Sequence, residues 1–198
     1  MKGIVFNTFY SYIEKQHDDV MLDDVIVAAD LPHGGAYTSV GTYPFEEMLS
    51  LVGAYMKATS CPAGAVLDGF GQHCFASWVN YVPGFFAGHR HLFDILEQIN
   101  DFHEREVRKL YPDAELPTFT TEARDARRLV IGYHSGKQLS DLAIGVIKGA
   151  ATHLGVDIAV SAEPAEDAAG PYTRLSIQML APAARTEGGA TCPMTTPS

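Results

Sequence analysis

The chain reads as α+β: helices in the N-terminal part, then an antiparallel sheet with helices in the C-terminal part. Three observations predict this. Apolar residues recur at helical spacing through the first half. Beyond Pro117 the period changes to the alternation of strands. Pro and Gly punctuate the joins, and segregated helices and strands define an α+β class.

Taken in order, residues 3–16 carry Val5, Phe9, Tyr12 and Ile13 on one helical face. Asp18 and Asp19 can cap a short second helix holding Leu22, Val25, Ile26 and Ala29. The run Leu31-Pro32-His33-Gly34-Gly35 is a break. Pro44 fits a first helical turn, with Glu46 and Glu47 complementing the dipole. Pro62 opens a helix with Val66, Phe70, His73, Cys74 and Trp78 down one side. YVPGFFAG at 81–88 reads as an aromatic turn, and a long amphipathic helix follows from about His89 to Leu110. Pro112 and Pro117 bound a rigid loop. Strands are predicted over 118–121 and 127–133, a helix over 137–154, and strands over 157–161 and 172–179. Residues 181–198, poor in large apolar side chains, read as a disordered tail. One domain over 1–180 results, its helical part about 1–65 and its helix-and-sheet part about 66–180.

Composition excludes several function classes. A formal net charge of -10 argues against nucleic acid, which needs a basic surface. Cys61, Cys74 and Cys192 are too few and too scattered for a disulfide framework, and no pair has zinc-site spacing. The N-terminus lacks a signal-peptide pattern, and no run reaches the ~18 apolar residues of a membrane span. The expected location is the cytoplasm. No nucleophile–base pair or phosphate loop points to an enzyme.

Two constellations carry chemistry. On a helical wheel, Leu92, Leu96, Ile99, Val107 and Leu110 share a face; His103 falls about 20° from its centre and Glu104 about 120° away. Such a histidine is either a hydrogen-bonded core residue or a metal or heme ligand. The second is Tyr133-His134-Ser135-Gly136-Lys137-Gln138. Ser135 with Gln138 three residues on matches a capping box, placing Ser135 at a helix N-cap. Tyr133 and Ser135 point the same way on the ending strand, and Lys137 can reach round from the first turn. Two hydroxyls, an ammonium and a helix N-terminus suit carboxylates or phosphate. An inward histidine together with a carboxylate-binding cluster describes heme, with iron on the first and propionates on the second.

Here the sequence resembles the H-NOX (heme nitric oxide/oxygen binding) family over about residues 1–180. The matching stretches are MKGIVFN at the start, GGAYTSVGTYP at 34–44, FGQ at 70–72, PGFFAG at 83–88, EVRKLYPDAELP at 106–117, and Tyr133-x-Ser135 before a helix. The resemblance implies heme b lying between a helical subdomain and a sheet subdomain, Tyr133, Ser135 and Lys137 on the propionates, and Phe9, Cys74, Trp78, Leu142 and Val146 along the distal pocket. Pro117 matches a proline that packs on the heme. Leu142 stands where oxygen-binding members place a tyrosine, which implies binding of nitric oxide and carbon monoxide but not dioxygen. The implied output goes to a separate protein, usually a histidine kinase or a cyclic-di-GMP enzyme.

Two positions depart from the family pattern. Lys137 replaces an arginine, keeping the charge but losing the bidentate fork. Counting back from Tyr111-Pro112, the family's iron ligand falls at 104, where this chain has Glu104; His103 comes one residue early. A carboxylate is a poor axial ligand for ferrous heme, so the wheel favours His103. The alternative is a heme-free or weakly heme-binding regulatory or scaffold protein of the same fold.

Overall fold

The computed structural model describes residues 1–180; the predicted tail at 181–198 lies outside the described residues. Four helices open the chain: α1 (Gly3–Gln16), α2 (Asp19–Ala29), α3 (Phe45–Thr59) and α4 (Ala63–Tyr81). Asp18 caps α2 as predicted, its side chain accepting the Met21 N–H. Pro44 and Pro62 stand just outside α3 and α4 as N-caps, since each lacks the N–H that a helix interior requires.

The predicted turn at 81–88 is largely helical. Helix α4 runs through Tyr81, and Pro83 starts a short helix α5 (Pro83–Phe86) with proline in its first turn. The single long helix predicted from His89 to Leu110 is instead broken. It becomes α6 (Leu92–Glu97), α7 (Ile99–Phe102), a π-helical turn (His103–Val107) and α8 (Arg108–Leu110). The Arg108 N–H donates to the His103 carbonyl, five residues back. Such a turn encloses one residue more than an α turn, so everything beyond it is rotated by about 100° relative to a continuous helix. Leu110, predicted inside, is accordingly 72% exposed.

Four strands form one antiparallel sheet in the order β1-β2-β4-β3: β1 (Thr118–Arg124), β2 (Arg128–His134), β3 (Ile158–Asp167) and β4 (Gly170–Met179). The strands β1 and β3 run longer than predicted, because polar residues with no burial pattern still complete the ladders. Helix α9 spans Ser140–Leu154, starting later than predicted. Ser135 is therefore not its cap. Its Oγ instead accepts the Lys137 N–H at 3.3 Å in a local turn, and Gln138, at φ 49°, sits in the left-handed region that breaks the chain before the helix.

The buried side chains form two clusters. One holds Phe6, Phe9, Ile13, Leu51, Phe70 and Cys74 among α1 to α4. The other packs Leu129, Ile131, Tyr133, Leu175 and Ile177 of the sheet against α6 and α9. Trp78 and Val146 touch both clusters and so mark the seam. Helices α4 and α9 cross there at backbone contact. A Cβ on Gly71 would lie 2.3 Å from the Leu142 carbonyl oxygen, and one on Gly145 2.1 Å from that of Asp68.

Candidate functional site

His103 sits at the first position of the π turn, half-buried, with Glu104 exposed beside it. Glu104 faces outward and accepts from the Arg108 Nε at 2.6 Å. The extra residue of the turn explains the one-residue offset. Counting back from Tyr111 through the wider turn, His103 takes the angular place that residue 104 would hold on an uninterrupted helix. The His103 ring lies 6.2 Å from that of Phe119, which lies 5.5 Å from that of Tyr133. Its Nδ1 is buried without a hydrogen-bond partner, a costly state for a ring nitrogen. Burial lowers the basicity of the imidazole, against opposing pulls from the Pro117 backbone and Glu104, so the neutral, metal-ligating form is favoured.

Asn100, three residues earlier, holds this segment on the sheet. Its Nδ2 donates to the Phe119 carbonyl at 2.6 Å, and its Oδ1 accepts the Phe119 N–H at 3.0 Å. Arg124 reinforces the same attachment to β1 by pairing with Asp94 at 2.7 Å and with Glu97.

Of the second constellation, Tyr133 and Ser135 come together, without the helix N-terminus, and the Lys137 ammonium is engaged by Glu115. Tyr133 is buried, and burial raises its phenol, while the Ser135 hydroxyl and the Leu139 backbone N–H pull it down. The Lys137 ammonium lies 6.0 Å from the centre of the Phe45 ring and is paired with Glu115. The amino group of Met1 is close enough that Lys137 lowers its basicity, after burial. Met1, Phe45 and Leu139 line a cavity of about 200 Å³ together with Val5, Phe70 and Leu142. None of the residues lining it carries a hydroxyl. The polar cluster and the apolar cavity are thus contiguous.

The remaining residues divide. Leu142 lines that cavity, and Trp78 and Val146 lie on the seam. Phe9 is fully buried against Phe70, ring centres 5.0 Å apart, and Cys74 is buried, which raises its thiol strongly; both are core residues of the helical cluster. Pro117 is half-buried and its backbone engages His103. Asn100, Glu115 and the Met1 amine had no signal in spacing or periodicity, since each acts through a contact across the fold.

The donor types are those a heme uses: an imidazole with an unpartnered nitrogen, the hydroxyls of Tyr133 and Ser135, the Lys137 ammonium and, beside them, an apolar cavity that these residues do not themselves line. A cavity of this size is below the ~300–1,000 Å³ of typical ligand sites, so the walls must part to admit a porphyrin. A wider concavity of about 350 Å³ lies elsewhere, between Phe85, Phe102 and Arg105, and His103 lines neither of the two. Among the described residues no cluster of three or more His, Cys, Asp or Glu could hold a bare metal ion, and no helix is long and apolar enough to cross a membrane.

The family model described as Haem-NO-binding matches residues 2–162. Among solved structures, an Fe(II) unliganded H-NOX protein from K. algicida is similar, at 29% identity and a TM-score of 0.82, over 94% of this chain and 100% of that one. Its A71G mutant matches at 30% identity and 0.82, over 92% and 98%. An H-NOX protein from S. oneidensis in the Fe(II)NO state shares the fold, with a TM-score of 0.81 at 23% identity over 91% and 100%. No curated protein matches by sequence. The offset histidine notwithstanding, the chain belongs to the Haem-NO-binding (H-NOX) family, whose domains are heme-based gas sensors and not catalytic by themselves.

Proposed function

We propose that this chain is a cytoplasmic heme b sensor that binds nitric oxide and carbon monoxide, not dioxygen, and regulates a separate signalling partner, a histidine kinase or a cyclic-di-GMP enzyme. His103 holds the iron, Tyr133, Ser135 and Lys137 hold the propionates, and Pro117, Phe9, Cys74, Trp78, Leu142 and Val146 shape the pocket within one domain over 1–180. The observation that carries the reading is the unpartnered, buried His103 nitrogen at the head of the π turn. Heme supplies the iron at which a diatomic gas binds. Everything else falls to side chains. His103 would present a neutral nitrogen; Asn100 keeps its segment on the sheet; the cavity walls are apolar and would offer no hydroxyl donor to a diatomic gas.

The test is hemin reconstitution followed by reduction. The parent takes up one equivalent, gives an imidazole-ligated ferrous spectrum that shifts with nitric oxide, and forms no stable complex in air. His103→Ala loses the imidazole signature and Glu104→Ala retains it. The competing reading, a heme-free or weakly binding regulatory protein, is favoured by two observations: the small cavity, and the occupation of Lys137 by Glu115. Failure to bind one equivalent of hemin decides for it.

A further inference from the structure

The π turn lies between two half-helices that are fastened to different parts of the molecule. Upstream, Asn100 is bonded twice to Phe119 of β1, and Asp94 and Glu97 pair with Arg124 of the same strand. Downstream, the turn after α8 is fastened to the N-terminal helix. Lys2, immediately before α1, pairs with Asp113 at 2.6 Å and lies 5.9 Å from the centre of the Tyr111 ring. That lysine side chain is only 11% exposed, and Thr42 also donates to Asp113, at 3.3 Å. One residue more than an α-helix needs is thus caught between an anchor on the sheet and an anchor on the helical part.

We infer that the His103–Val107 π turn is a conformational joint: relative movement of the two anchored parts opens or closes it, and closure to an ordinary α turn carries His103 out of its inward place. Closure removes one residue from the turn, which rotates the histidine by about 100° and shifts it by about 1.5 Å along the axis relative to the half-helix anchored downstream. Glu104 and Arg108 bridge the joint on its solvent side at 2.6 Å and can follow either form, since an i,i+4 pair suits an α turn. The functional meaning of the joint rests on His103 as iron ligand; the joint itself does not.

The Arg108 amide, whose partner is the His103 carbonyl, reports the turn directly. In the heme-free full chain it exchanges with solvent at least ~10-fold faster than amides in the middle of α4. Deleting Arg105, an exposed residue within the turn, lets the α register form and slows that exchange ~10-fold. Asn100→Ala frees the upstream anchor and slows it as well. Unchanged Arg108 exchange in both variants overturns the joint. So does a deletion variant that fails to fold while Asn100→Ala leaves Arg108 as in the parent. All readouts use heme-free protein. Absence of hemin binding with these shifts present defeats the sensor reading alone; intact imidazole ligation without them defeats the joint alone.

Discussion

Helices α4 and α9 and the segment from Leu92 to Leu110 are made in opposite ways. The first two are long and unbroken and meet backbone to backbone at Gly71 and Gly145, with Lys148 paired to Asp68 across the crossing. The segment bearing His103 is short pieces joined by a π turn and held by side-chain bonds from Asn100, Arg124 and Lys2. A crossing with no room for a methyl group resists change, because interiors are close-packed and overpacking is costly. A segment held by a few polar contacts has several nearby arrangements. The difference teaches where movement is stored: the α4–α9 crossing is fixed, and His103 is mounted on the part that gives.

The largest expected effect breaks the mobile side at its centre. His103→Ala abolishes imidazole ligation of reduced heme, read by the absorption spectrum, with the fold retained by circular dichroism. Next, Gly145→Ala drives a methyl into the Asp68 carbonyl and destabilises the chain by about 1–3 kcal/mol in urea titration. Asn100→Ala removes two hydrogen bonds from the flexible side and costs about 1–3 kcal/mol, leaving the Phe119 backbone groups to find water. Smallest, Glu104→Ala breaks an exposed ion pair and changes stability by about 0.5 kcal/mol or less. If the Gly145 and Glu104 variants prove equally harmful, the contrast between the two regions is wrong.

Acidity sharpens the same comparison. Burial lowers the folded-state basicity of both His103 and His73, so the unfolded chain binds more protons than the folded one below the ordinary histidine value of 6.5. These two groups leave stability intact above that value and erode it as pH falls from there toward their depressed folded values. His103→Ala flattens part of this slope, measured by thermal melts between pH 5 and 7.5.

Much of the fold was legible. The helices at 3–16 and 19–29, the Asp18 cap and the sheet strands follow from spacing and alternation. The inward orientation of His103 and the outward one of Glu104 follow from the wheel, because the upstream half of the helix keeps its α register. Leu110 was misplaced because one inserted residue rotates only what lies beyond it, and periodicity contains no marker for where a helix widens. The Ser135 box failed for a related reason. A hydroxyl three residues before a glutamine can bond a local turn as readily as a helix end, and only Gln138 in the left-handed region decides between them. The contact of Tyr133 with Ser135 follows from strand alternation, whereas the pairing of Lys137 with Glu115 crosses the fold and left no mark in spacing.

The pairing of Lys137 with Glu115 has a consequence for loading. A propionate reaching that ammonium replaces one carboxylate by another, so the step is an exchange with little net electrostatic gain. Glu115→Gln would leave the lysine unclaimed and slow hemin loss to a scavenger globin. The displaced loop between Pro112 and Pro117, its hold on Lys137 surrendered, would then become the protease-sensitive mark of the loaded protein.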